Sequence, residues 1–207
     1  IIQLPDGKNA IIDAGGDAKN TTNERCEDRI ISNINELKIK TFDYMILTHT
    51  DADHVDYMDT VLEEYDVLNI YRPAFNSKSE KAVGVNPQYG TVQTVTYDNF
   101  VTAVKQEQQE IGAKVEFNIG KKEIVGKGYR FDIYGVEEKW YLKDVVGDEE
   151  KIDAKEKNKV SPMVLLTYNA EKDVRKIMFT GDAEGKGGNN GESLFLENYN
   201  DNIDIDL

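Results

Sequence analysis

His49-Thr50-Asp51-Ala52-Asp53-His54 packs four metal-binding side chains into six residues. The run before it, Tyr44-Met45-Ile46-Leu47-Thr48, reads as a short buried strand. The segment after it spaces Val55, Met58, Leu62 and Tyr65 along one helical face. A strand that turns sharply into a helix gathers its polar side chains at one edge of a sheet. Imidazoles and ionised carboxylates crowded there would repel or lose hydration without a cation between them, so the loop reads as a metal site. A plainer account makes Asp51 and Asp53 caps of the helix that starts near His54, with two ordinary loop histidines. It suits each residue singly and the set poorly, because the chain's only two histidines both fall in this loop.

Composition bounds the rest. A chain of 207 residues suits one domain with a substantial core, and 39% hydrophobic content with mixed charge is globular. No apolar run approaches membrane-spanning length. A net charge of -14 argues against a sequence-independent grip on nucleic acid, although bound divalent cations would create a local positive site. The single cysteine, Cys26, excludes an internal disulfide and falls on one helical face with Ile30, Ile34 and Leu37, as a core residue would. Both ends read as cut. The chain opens inside a hairpin (Ile1–Leu4, the turn Pro5-Asp6-Gly7-Lys8, then Asn9–Asp13) and closes on the alternation Ile203-Asp204-Ile205-Asp206-Leu207.

Between these ends a helix is expected over about Asn23 to Lys38 and a strand over Val67–Tyr71. Asn76 to Thr96 gives no firm element. Asp98 is expected to cap a helix through Ile111, followed by strands Lys114–Asn118, Lys122–Val125 and Tyr129–Val136. Lys143 to Lys159 reads as a solvated, charge-rich connection. Strands Met163–Tyr168 and Lys176–Thr180 follow, then a glycine-rich loop and a helix over Glu192–Asn198. The pattern suits mixed α/β or α+β layering. The loop Gly185-Lys186-Gly187-Gly188-Asn189-Asn190-Gly191 lies between strand and helix, as a phosphate-binding loop does. Three residues instead of four separate Gly181 from Gly185, and Gly187 stands where Ser or Thr is needed, so a mobile surface loop is the better reading.

The H-x-D-x-D-H run after a hydrophobic strand resembles the H-x-[HD]-x-D-H signature of the metallo-β-lactamase superfamily. Asp6-Gly7-Lys8-Asn9-Ala10-Ile11-Ile12-Asp13-Ala14-Gly15 looks like that superfamily's early hairpin, and Ile177-Met178-Phe179-Thr180-Gly181-Asp182-Ala183-Glu184 like its later strand ending in Gly-Asp. Asp51, in place of the usual second histidine, is similar to the ComEC-type competence proteins, as is Asn158-Lys159-Val160-Ser161 leading into Val164-Leu165-Leu166. The resemblance runs from Pro5 to the helix after Asp182. It implies one domain over 1–207 with an insertion at about 76–123, folded as a four-layer αββα sandwich incomplete at both ends.

The resemblance also implies roles. His49 and Asp51 would serve a first metal, Asp53 and His54 a second, and Asp182 would bridge them. Asp13 would orient the histidine loop, with Asn158 and Ser161 supporting. The family's later histidine on the first metal has no counterpart here, and a His-His-Gly-Ser segment would be expected past Leu207. Two divalent ions about 3.5–4 Å apart generate hydroxide and stabilise attacking and leaving oxygens, which suits phosphodiester hydrolysis. The aspartate-rich set admits Mn²⁺ or Mg²⁺ beside Zn²⁺. Asp53, with Asp182, is expected to be catalytic, Asp53 taking the proton of the attacking water.

Arg72, Lys78 and Lys81 are candidate contacts to an anionic substrate, and Tyr97 and Phe100 candidates for stacking on a base, although surface and core roles suit them better. The expectation is a metal-dependent phosphodiesterase or nuclease with single-stranded DNA as candidate substrate. The alternatives are a metal-poor binding or sensory module, or a hydrolase of a thioester, lactone or phosphocholine ester. A stand-alone cytoplasmic protein is preferred to an extracytoplasmic domain of a membrane protein.

Overall fold

The computed structural model describes residues 1–16, 26–146, 152, 154–170, 173–184 and 191–199. Among these residues the strands form a five-stranded sheet, a four-stranded sheet and two short two-stranded pairs in a mixed α/β arrangement.

The first sheet grows from the hairpin. β1 (Ile2–Gln3) and β2 (Asn9–Ile12) pair antiparallel across a turn in which Gly7 takes φ 85° and the Lys8 N–H donates to Asp6 Oδ1 at 3.2 Å. β3 (Tyr44–Ile46), β4 (Asn69–Arg72) and β5 (Lys114–Phe117) then add in parallel, in that order. Successive side chains alternate between faces. Tyr44 and Ile46 enter one apolar cluster, Met45 and Leu47 another, so both faces are covered and the strand reads as a continuous apolar run.

Helices cover the Met45–Leu47 face. α1 (Cys26–Glu36), α2 (Ala52–Val55) and α3 (Met58–Glu64) contribute Ile34, Val55, Met58 and Val61, and α5 (Val95–Glu110), after the short α4 (Lys78–Ala82), contributes Tyr97, Phe100, Val101 and Val104. The other face meets the second sheet. That sheet is an antiparallel meander of β6 (Lys121–Gly126), β7 (Tyr129–Tyr134), β8 (Met163–Ala170) and β9 (Asp173–Phe179). Phe131, Ile133, Val164 and Leu166 pack against Tyr44, Ile46 and Tyr71. Their neighbours Tyr134, Met163 and Leu165 point the other way, onto Phe195 of α8 (Gly191–Asn198). Each full burial of such a side chain is worth roughly 1.5–3 kcal/mol, so the stacked sheets are held chiefly by this alternation.

Three segments depart from the sequence reading. The stretch after Asn76 is ordered by a capping box: Ser77 Oγ accepts from the Glu80 N–H, and Glu80 Oε2 accepts from the Ser77 N–H. The long helix starts at Val95 with Thr94 as N-cap, three residues before Asp98, whose Oδ1 instead accepts from the Ser79 N–H at 2.8 Å. The charge-rich connection between β7 and β8 holds two helices, α6 (Lys143–Val146) and α7 (Ala154–Lys159), and buries Lys157. No helix among the described residues is long and apolar enough to cross a membrane. The start of the first helix, the Cys26 side chain, Gly185–Asn190 and the Ile203–Leu207 alternation lie outside what the structure describes.

Candidate metal centre

β3 runs out at Ile46, and Leu47 continues it by donating its N–H to the Tyr71 carbonyl at 2.9 Å. Thr48, His49 and Thr50 follow, each about 1% exposed. Asp51 is the N-cap of α2, but its side chain makes no capping bond; its carbonyl accepts from the His54 and Val55 N–H groups instead. The cap account therefore explains the backbone of Asp51 and leaves its carboxylate to other work.

Asp13 anchors the loop. It sits just past β2 at φ 52°, a left-handed conformation that few residues other than glycine adopt without a compensating role. Its Oδ1 accepts from the Thr48 N–H at 2.7 Å. Its Oδ2 accepts from Thr48 Oγ1 at 2.6 Å and from His54 Nδ1 at 2.9 Å. Beside it the Ala14 N–H donates to the His54 carbonyl at 2.8 Å, and a Cβ on Gly15 would lie 1.8 Å from the Asp53 carbonyl carbon. Only glycine lets the two loops approach this closely.

Asp182 arrives from the second sheet, beyond β9. Gly181 turns at φ 53° where a Cβ would sit 2.6 Å from Ser161 Oγ and 2.7 Å from Thr48 Oγ1. The buried Ser161 hydroxyl accepts from the Asp182 N–H at 3.1 Å and donates to the Thr48 carbonyl at 3.3 Å. Ser161 thus ties the two sheets together behind the carboxylate. Asn158 faces outward and donates to Glu184 Oε1 at 2.6 Å.

The result is a three-residue cluster. His49, His54 and Asp182 each offer a donor atom, all within 4.8 Å of one another. His54 Nε2 lies 2.9 Å from Asp182 Oδ1, and His49 Nδ1 lies 3.9 Å from Asp182 Oδ2. Asp53 lies outside this cluster, 70% exposed at its side chain, with Oδ2 3.9 Å from His54 Nε2. Asp51 turns toward Lys157, whose ammonium donates to its Oδ1, while Asp51 Oδ2 stays 3.9 Å from His49 Nδ1.

The two imidazoles respond oppositely to their surroundings. The hydrogen bond to Asp13 raises the pKa of His54 to about 9, against the opposing effect of burial and with help from the carboxylates of Asp182 and Asp53. Burial lowers that of His49, outweighing the attraction of Asp51 and Asp182. The Asp51 N–H donates to His49 Nδ1 at 3.2 Å, and the buried Nε2 has no hydrogen-bond partner among the described residues. A neutral, enclosed imidazole beside a second histidine and a carboxylate fits a divalent cation. Asp13 stands behind His54 as the carboxylate that commonly orients a ligating histidine.

Residues expected to touch substrate lie elsewhere. The Arg72 guanidinium is buried, donating to Glu80 Oε1 at 2.7 Å, Tyr97 Oη at 2.9 Å and the Phe75 carbonyl at 3.1 Å, with the Phe117 ring 4.9 Å away. It is a structural cation. Tyr97 and Phe100 are fully buried and stack on each other at 6.1 Å, so neither presents a face to a base. Lys78 and Lys81 are exposed on α4. Lys157 is the site residue that sequence reasoning missed. It sits in the pattern Lys155-Glu156-Lys157-Asn158-Lys159, and nothing there marks the buried lysine from its solvated neighbours.

A search of curated proteins returns no match. The sequence model of the metallo-beta-lactamase superfamily matches residues 1–88, the span that carries the hairpin, Asp13 and the whole histidine loop, and over that span the chain is similar to this superfamily.

Proposed function

We propose that the protein is a metal-dependent hydrolase of metallo-β-lactamase type, folded as a four-layer αββα sandwich and acting on phosphodiesters, with single-stranded DNA as the substrate class and a resemblance to ComEC-type domains. The observation that carries this reading is the convergence of His49 and His54 with Asp182, from separate sheets, in front of Asp13. His49, His54 and Asp182 would hold the cation. A divalent ion there supplies Lewis acidity and lowers the pKa of water. Asp53, the most solvated carboxylate of the loop, would accept a proton from water entering the site. Asp13 keeps His54 Nδ1 engaged, which directs Nε2 toward the cation.

The test is hydrolysis of single- and double-stranded oligonucleotides and of bis(p-nitrophenyl) phosphate with Mn²⁺, Mg²⁺ or Zn²⁺, beside Asp182→Ala. Metal-dependent cleavage that falls by two orders of magnitude or more in the variant is expected. Undiminished activity in Asp182→Ala would sink the assignment. One observation favours a binding module instead: a net charge of -14 opposes a polyanionic substrate. Metal binding with no turnover on any phosphodiester would select that reading.

A further inference from the structure

We infer that Lys157 takes the place of a second cation, so that the centre holds one divalent ion at His49, His54 and Asp182 while the lysine ammonium neutralises Asp51. The inference rests on the metal-centre reading above and concerns its count. Lys157 is 9% exposed, and its ammonium donates to Asp51 Oδ1. Asp51 is the loop carboxylate that a second ion beside His49 would need. Its other oxygen, Oδ2, and Asp182 Oδ2 both lie 3.9 Å from His49 Nδ1, so Lys157, Asp51, His49 and Asp182 form one continuous row of polar groups. A divalent ion taking Asp51 would strand the buried Lys157 ammonium next to it, and leaving a buried charge uncompensated is unfavourable. The donor inventory agrees. Among the described residues His49, His54 and Asp182 offer donor atoms within 4.8 Å of one another, enough for one ion with water completing its shell.

α7 holds Lys157 in place: its Asn158 side chain reaches Glu184 just past Asp182, and the Asn158 carbonyl accepts from the Ser161 N–H, which leads the chain back to the Asp182 junction. The ammonium is therefore fixed to the same frame as the metal ligands.

The deciding experiment counts ions on the full chain by titration calorimetry and by elemental analysis after desalting, with Mn²⁺ alone and with Zn²⁺ alone. One equivalent is expected for the wild type and for Lys157→Arg, and two at saturation for Lys157→Met, which uncovers Asp51. The double variant Asp51→Asn, Lys157→Met leaves no charge stranded, and should bind one equivalent with affinity within about threefold of wild type. Two equivalents in the wild type, one in Lys157→Met, or a tenfold loss of affinity in the double variant each overturn the inference. Failure to bind any ion overturns it together with the metal-centre reading, whereas two ions in the wild type leave that reading intact.

Discussion

Asp13 concentrates three hydrogen bonds on one carboxylate, two from Thr48 and one from His54, and does so from a left-handed backbone. Asp13→Asn keeps the size and removes the anionic acceptor that orients the imidazole. Metal affinity should fall about 10–100-fold with the fold intact, and calorimetric titration beside a circular dichroism melt separates the two effects. Gly15→Ala acts sterically, driving a methyl group into the Asp53 backbone, and should cost roughly 1–3 kcal/mol of stability as overpacking does, measured by urea unfolding. The histidine loop, Asp13 and Gly181-Asp182 were legible because each lies in a short local pattern at a strand end. Lys157 was not, because its importance arises from contact with Asp51, 106 positions away, and a buried lysine has no local signature.

At the scale of elements, α4 and α5 owe their seating to a buried polar knot. Arg72 at the end of β4 joins the Glu80 carboxylate of the α4 capping box to Tyr97 in the first turn of α5. Arg72→Met strands the Glu80 charge in an enclosed setting, and about 3–5 kcal/mol of destabilisation is expected in chemical denaturation. α5 carries a second buried acid, Glu107, which accepts from the Val67 N–H; burial raises its pKa above the ordinary carboxyl value. The native state then holds the proton more tightly than the unfolded chain, so this group's contribution is complete at low pH and is lost as pH rises through its folded pKa. Glu107→Gln keeps an acceptor for Val67 without the charge. Its melting temperature should match or exceed that of the wild type, with the gap widening between pH 4 and pH 8. The capping box was open to reading as Ser77-x-x-Glu80. The polar surroundings of that segment concealed it, since glycines and prolines nearby signal loop first. The placement of Asp98 failed for another reason: an Asp near a helix start can bond a neighbouring segment, here Ser79, instead of its own helix.

Over the whole molecule a charge of -14 opposes the approach of any polyanion, while a cation bound at the candidate centre would offer a local attraction. Raising salt from 20 to 150 mM shortens the screening length to about 8 Å. At saturating metal, KM for an oligonucleotide should therefore fall several-fold while that for bis(p-nitrophenyl) phosphate changes little; an oligonucleotide KM that rises with salt would contradict this. The apolar strands made the two-sheet layering legible, because runs such as Tyr44–Leu47 and Met163–Leu166 bury both faces. The stacking of one sheet on the other depended on pairings distant in sequence. That stacking has a mechanical side. His49 and His54 hang from the first sheet and Asp182 from β9, which closes the described edge of the second. An ion gripping all three acts as a stitch between sheets, and a stitch restrains whichever border would fray first. Amide exchange in Asp173–Phe179 should slow when Mn²⁺ or Zn²⁺ is added and quicken again with a chelator, by up to about 100-fold at an ion concentration 100 times the dissociation constant.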